Sequence, residues 1–317
     1  MIVRWSLDEL DPTLEELGIR HPFLVTSPRW ASLVDLPVAG RWLEVPSDRI
    51  EVPIGADGVL AIGGGSAIDT AKASSSAAGL PLVSVPTTYS GAEWTSGFGV
   101  RTRTRRIVGH GGGAHLAGIV YDVGLTLDLP RPETVGTAMN ALAHCAEALY
   151  GDRSERGDAV AIEGAELISR WLPSVVDAPR DREAREGLLR GAAAGGEALA
   201  LAGLALAHAM AQALGSSFGL PHGAMNALTL APALRFNSGV VPDAVARFGA
   251  AIGAEADPAA KVEELARLGG FERLRDFGVP EDGLAAVAGM AAGRNGNKRN
   301  PRPATADEIE RLLREVY

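Results

Sequence analysis

The chain reads as two domains in series: an α/β dinucleotide-binding domain with a parallel sheet over residues 1–130, and an all-helical catalytic domain over 131–317. Three observations lead there. A length of 317 residues is enough for two hydrophobic cores. Up to about residue 130, short β-rich runs alternate with turn residues and helical stretches, in the order strand, turn, helix that a parallel sheet requires. Beyond Arg131 the strand signals fade, and Ala/Leu/Glu/Arg-rich segments of helical spacing take over.

In chain order the strand-bearing runs are "HPFLVTSPRW" (21–30), "GVLAIGGGSAIDTAKAS" (58–74), "LPLVSVPTTYSGAEWTS" (80–96) and "AGIVYDVGLTLDLP" (117–130). The stretch between the first two (31–60) is short and strand-like. "LTLDLPRP" (125–132) supplies the hinge. In the helical half, breaks are expected at "WLPS" (171–174), at Gly195-Gly196 and at "SSFGLPHG" (216–223). There is no internal repeat and no low-complexity linker.

Composition narrows the function classes. Apolar residues at 46% and charged residues at 22% are ordinary for a globular protein. A net charge of -9 and a pI near 5.3 argue against a nucleic-acid partner, which needs a clustered basic surface. The single cysteine, Cys145, excludes an intramolecular disulfide, and the N-terminus lacks a basic region followed by an apolar one, so a cytoplasmic protein is expected. The 37-residue stretch 198–234 carries no Asp, Glu, Lys or Arg, yet it is interrupted by Pro221 and Pro232 and contains His208, Gln212 and Asn226. It is expected to form buried helices rather than a membrane span.

The first chemical motif is "VLAIGGGSAIDTAKA" (59–73), where Gly63, Gly64 and Gly65 follow an apolar strand and precede a helix containing Ser66, Asp69 and Lys72. Backbone N–H groups at such a turn can approach a pyrophosphate closely, and the helix N-terminus behind them favours negative charge. Ser66 adds a hydroxyl or caps the helix. The Rossmann fingerprint is not met, because Ile68 occupies the last glycine position. "GHGGGA" (109–114) does match it but precedes strand-like residues, and reads as a loop. "PTTYSG" (86–91) offers Thr87, Thr88 and Ser90 as a second clamp on phosphates or nicotinamide. In "RTRTRR" (101–106), period two puts Arg101, Arg103 and Arg105 on one strand face, as a solvated hairpin or as a contact for a dianionic substrate.

The helical half holds four polar side chains at paired spacings. Asn140 and His144 lie four residues apart, as do His208 and Gln212, and His222 begins the next helix after Pro221. Three imidazoles from three helices suit either a transition metal or proton transfer near neutrality, and spacing alone does not separate the two.

Taken with "IVYDVGLTLDLP", "MNALAHCAEALY", "HAMAQALGSSFGLPHGAMNALTLAPALRFN" and "NPRPATADEIERLL", these motifs occur in the order of the iron-containing alcohol dehydrogenase superfamily, which the chain resembles over most of its length. The resemblance implies a dehydroquinate synthase-like fold with a catalytic cleft between the domains, a small-molecule substrate and a homodimer. In metal-dependent members an aspartate and three histidines hold the metal. The histidines correspond to His144, His208 and His222, but the aspartate position is Asn140, as in the maleylacetate reductase branch. Gln212, where that branch usually has histidine, and "PHGAMNA" depart from it. The nucleotide domain also reads as trimmed; no acidic residue immediately ends the strand "FLVTS" to contact the adenosine ribose, and Arg29 could instead tolerate a 2′-phosphate, leaving NADH and NADPH both open.

The resulting expectation is an NAD(P)H-dependent, maleylacetate reductase-like enzyme of aromatic catabolism. Its catalytic residues would be Asn140, His144, His208 and His222, and its cofactor residues Gly63, Gly64, Gly65, Ser66, Asp69, Thr87, Thr88 and Ser90. The alternatives are an Fe²⁺- or Zn²⁺-dependent alcohol dehydrogenase using the three histidines, a dehydroquinate synthase-like lyase, and a degenerate binding protein.

Overall fold

The structure, a computed structural model, describes residues 1–103, 107–152 and 154–317. It divides into two compact units. The first comprises Met1–Thr88 and Ala92–Thr126; the second comprises Tyr89–Gly91 and Leu127–Tyr317.

The first unit is built on β1 (Ile2–Arg4), α1 (Leu10–Glu16), β2 (Pro22–Thr26), β3 (Gly40–Trp42), β4 (Gly58–Gly63), α2 (Gly65–Ala78), β5 (Pro81–Pro86), β6 (Phe98–Arg101), β7 (Ile107–Gly111) and β8 (His115–Val120). Six strands form one parallel sheet in the order β1-β8-β5-β4-β2-β3, as the alternation of strand, turn and helix predicts. Because side chains alternate along a strand, the central strands bury both faces. Leu24, Leu60, Ile62, Val83 and Val85 pack with Leu10 and Leu14 of α1, whereas Phe23, Val25, Val59, Ala61 and Leu82 pack with Ile68 and Ala71 of α2. Each such fully buried Leu, Ile, Val or Phe contributes roughly 1.5–3 kcal/mol.

The chain crosses from β2 to β3 through residues 27–39 with only a short 3-10 turn at Pro28–Trp30, and residues 43–57 form neither helix nor strand. The strand-like reading of 31–60 therefore holds only for β3 and for Gly58–Leu60 at the start of β4. "GHGGGA" is not wholly a loop, since Gly109–Gly111 end β7, which pairs antiparallel with β6. Arg101 closes β6, but Arg103 lies past its end and Arg105 is outside the described residues. Arg101 is tied to Asp69 at 2.7 Å, while the exposed Arg103 meets Glu44.

The second unit contains α3 (Arg131–Ala148), α4 (Glu155–Asp177), α5 (Arg182–Ala202), α6 (Leu206–Phe218), α7 (His222–Ser238), α8 (Pro242–Ala251), α9 (Pro258–Arg267), α10 (Leu284–Gly293), α11 (Asn295–Arg299) and α12 (Ala306–Glu315). α3 is buried over nearly all its length and packs on α4, α5 and α7. Two expected breaks are absent. α4 runs through Pro173, forgoing one backbone hydrogen bond, because Ile168, Leu172 and Val175 stay on its buried face across the proline. α5 runs through Gly195 and Gly196, since there the missing side chains serve packing: a Cβ on Gly195 would lie 2.7 Å from the Ala141 carbonyl oxygen of α3. Gly164 likewise brings α4 against Cys145, whose thiol burial pushes it above the usual range. The break at "SSFGLPHG" is present, with Gly219 in the left-handed conformation ending α6.

Among the described residues no single helix is long and apolar enough to cross a membrane; α5 and α6 pass that test only as a pair bent by 100°. The buried Arg185 of α5 ties the incoming segments together. It donates to the Tyr89 hydroxyl and Thr134 Oγ1 (3.1 Å each), and to the carbonyl oxygens of Pro179 (2.8 Å) and Leu129 (3.4 Å). The "NPRP" motif is also structural, since Asn300 exchanges two hydrogen bonds with Asn237 at the end of α7.

Candidate functional site

In the first unit the parallel register sets Gly63 at the end of β4 beside Pro86 at the end of β5, so the glycine turn and the threonine turn lie side by side at the C-terminal ends of these central strands. The Thr87 amide donates to the Gly63 carbonyl at 3.1 Å. A Cβ on Gly64 would sit 2.8 Å from Thr88 Cγ2, and one on Gly63, at φ +150°, 2.8 Å from Ala67 Cβ. The helix is capped by Gly64, with no side-chain hydrogen bond; Ser66 is inside the first turn rather than capping it, and that turn carries no acidic residue.

Thr88 Oγ1 is buried and without a hydrogen-bond partner. A side-chain-free turn, an open helix N-terminus and an orphaned hydroxyl facing it fit the pyrophosphate of a dinucleotide. Asp69 is engaged differently: its carboxylate accepts from Arg101 and the Gly99 amide, and stands 3.7 Å from the buried Lys72 ammonium. Nearby, Glu93 is buried and accepts from the Tyr121 hydroxyl at 2.7 Å, while its other oxygen has no partner. Burial raises the Glu93 pKa, against the opposing pull of its hydrogen bonds and of Lys72.

In the second unit α3, α6 and α7 bring the three histidines together. The His144 and His208 rings stack at 4.7 Å with planes 11° apart, and the His208 and His222 rings lie 5.8 Å apart at 50°. His144 and His208 are buried, whereas His222 is half-buried. Burial, then the proximity of His208 and His222, hold the His144 pKa well below the ordinary histidine range, so this ring is neutral at pH 7.

Two further side chains complete the cluster, and neither stands among the sequence-derived site residues. Glu147, fully buried on α3, takes the Ala205 amide (2.7 Å), the His208 amide (3.1 Å) and His208 Nδ1 (2.7 Å). Asn226 of α7 donates to Asn140 Oδ1 at 2.6 Å and lies 3.1 Å from His222 Nε2. Asn140 in turn donates through Nδ2 to the Ser90 carbonyl at 2.8 Å, which fixes the orientation of its amide, and its Oδ1 faces His208 Nε2 at 3.3 Å. A continuous chain results: Glu147, His208, Asn140, Asn226, His222.

Ser90 therefore reaches this cluster through its backbone. Beside it Gly91, at φ +70°, admits no side chain: a Cβ would lie 3.0 Å from Gly196 Cα and 3.4 Å from His144 Nδ1. Both missed residues obey the helical spacing that located the others. Glu147 is three residues after His144, and Asn226 four after His222.

The donor set does not fit a divalent cation in this arrangement. The stacked His144 and His208 rings run nearly parallel, so their in-plane lone pairs do not converge. Both His208 nitrogens face oxygen acceptors, Asn140 Oδ1 is taken by Asn226, and among the described residues no group of three His, Cys, Asp or Glu side chains forms a metal site.

Comparison with known proteins follows the same lines. Residues 134–317 match the model of the Fe-containing alcohol dehydrogenase family, C-terminal, and residues 53–112 that of iron-containing alcohol dehydrogenase. The chain is 35% identical to maleylacetate reductase of Pseudomonas knackmussii over 331 residues, spanning 98% of the chain and 93% of the relative. It is 37% identical to maleylacetate reductase of Sphingobium indicum, over 81% of the chain and 73% of the relative. Among solved structures, maleylacetate reductase from Agrobacterium tumefaciens superposes with a TM-score of 0.87 at 28% identity, covering 100% of the chain and 95% of that structure.

Proposed function

The chain belongs to the iron-containing alcohol dehydrogenase family, and on that premise we propose that it is an NAD(P)H-dependent reductase of the maleylacetate type, converting maleylacetate to 3-oxoadipate. Gly63, Gly64, Gly65 and Ser66 hold the pyrophosphate, with Thr87 and Thr88 closing beside them. No acidic residue occurs between Pro22 and Val34, and the exposed Arg29 follows β2, so a 2′-phosphate meets no repulsion and both NADH and NADPH are accepted.

Bound reduced nicotinamide supplies a hydride to the carbon–carbon double bond conjugated with the substrate's ketone. As that bond takes up two electrons, negative charge grows on the ketone oxygen, and an N–H donor aimed there lowers the barrier. The carbon beside the ketone then takes a proton. We assign the donor role to the His208–Asn140–Asn226–His222 chain, held at its buried end by Glu147. His222, the half-buried member, exchanges the proton with solvent. His144 stays neutral and supports His208 by stacking.

The observation that carries this reading over the metal-dependent alternative is His208 placed between the Glu147 carboxylate and the Asn140 carbonyl oxygen. Held there, His208 orients Asn140 and Asn226, and the half-buried His222, whose Nε2 accepts from Asn226, supplies through its other nitrogen the electrophile that a metal supplies in other branches. The test is oxidation of NADH and NADPH by the purified chain with maleylacetate, and with simple aldehydes and ketones, after chelation and after adding Fe²⁺ or Zn²⁺. Turnover of maleylacetate unaffected by chelator is expected. Turnover of aldehydes alone, appearing only with added metal, would overturn the assignment.

A further inference from the structure

Arg294 follows α10 and reaches across to α6. Its Nη2 donates to the Gln212 carbonyl (3.1 Å) and Ser216 Oγ (2.7 Å), its Nη1 makes one long contact to Gln212 Oε1 (3.4 Å), and its Nε is buried without a partner. Every acceptor is neutral. The two segments that pack here carry no carboxylate of their own: residues 198–234 contain no charged side chain, and residues 283–306 contain no Asp or Glu. Arg294 is thus a half-buried cation whose donors outnumber the acceptors around it, and burial lowers its pKa with no carboxylate to raise it.

The point on α6 that it reaches matters. Gln212 and Ser216 follow His208 by one and two turns on the same helix face, so the guanidinium lies roughly 6–12 Å along the axis from the imidazole. In a six-carbon dicarboxylate whose ketone is on the fourth carbon, about 4 Å separates the ketone carbon from the farther carboxyl carbon, and a C–O bond plus a hydrogen bond at each end extends the reach to about 10 Å, within that range.

We propose that Arg294 is the carboxylate-recognising residue of the helical unit, positioned by Gln212 and Ser216 so that Nη1 receives a terminal carboxylate of a dianionic substrate whose ketone is at the histidine cluster. This rests on the dicarboxylate substrate proposed above. It also gives Gln212 a role: a neutral amide at that position orients the guanidinium without competing for the anion.

The test separates binding from turnover. Calorimetry with adipate, a non-reducible six-carbon dicarboxylate, and with its neutral diamide is run on the wild type and on Arg294→Gln and Arg294→Lys. Adipate is expected to bind the wild type, to bind Arg294→Gln roughly 10- to 100-fold more weakly, and to recover partly with Arg294→Lys, while the diamide and NADH bind all three alike. In kinetics, Arg294→Gln raises the KM for maleylacetate by a similar factor and leaves kcat within a fewfold. Equal adipate affinity in wild type and Arg294→Gln, absent adipate binding to the wild type, or parallel loss of NADH binding would each overturn the proposal. Adipate binding that depends on Arg294 without turnover of maleylacetate would sustain the anion site and refute only the substrate reading.

Discussion

Replacing Glu147 with glutamine tests whether the buried end of the hydrogen-bond chain governs the chemistry. The carboxylate takes three donors: the Ala205 amide and His208 Nδ1 on one oxygen, and the His208 amide on the other. An amide has a single oxygen. If it keeps the first two donors, its NH₂ faces the His208 amide, stranding a buried donor at a cost of about 1–3 kcal/mol. The two retained bonds lose their charge, which removes about 1 kcal/mol each. Glu147→Gln is therefore expected to lose about 3–5 kcal/mol of stability in urea denaturation. His208 would keep only a neutral acceptor to fix its ring, and misplacement of a reacting group by about 1 Å lowers kcat on the order of 100-fold. Steady-state kinetics at saturating NADH, with NADH affinity measured separately by fluorescence, should show kcat falling while cofactor affinity is kept. A variant that is destabilised as expected yet turns over at the wild-type rate would remove Glu147 and His208 from the mechanism.

Other expectations follow from the first unit. Gly64→Ala places a methyl 2.8 Å from Thr88 Cγ2, so NADH should dissociate roughly 10- to 100-fold more readily in a fluorescence titration, and unchanged affinity would refute the pyrophosphate cradle. Glu93 has a pKa raised by burial, so its contribution to stability is present below the unfolded value of about 4.3 and is lost as pH rises through the folded one. Glu93→Gln keeps the acceptor for Tyr121 and removes the ionisation; urea midpoints should show the variant gaining on the wild type as pH rises above about 4.3, and parallel profiles would contradict it.

What could be read from the chain was whatever obeys a short period. The parallel sheet followed from strand, turn and helix repeating, and the meeting of His144, His208 and His222 followed from helical spacing within an uncharged background. Glu147 and Asn226 were legible by the same rule, but an acid and an amide draw less notice than a histidine. Gly195, Gly196 and Pro173 misled because their usual meaning is local, whereas here contacts with α3 and the buried face of α4 decide the path. Arg294 was out of reach, since its neighbours Gln212 and Ser216 stand about 80 positions earlier and nothing local signals the pairing. The same holds for Tyr89–Gly91, three residues that leave the α/β unit without any change in composition.

That tripeptide has a consequence for anyone exchanging parts between relatives. Arg185 grips the Tyr89 hydroxyl, Asn140 leans on the Ser90 carbonyl, and Gly91 leaves no room for a side chain against Gly196. A chimera joined at residue 127 would inherit these three residues from the wrong parent, and a fragment starting there would have none. The helical half is discontinuous in its gene, so a graft of a new nucleotide domain must leave that short loop with its recipient.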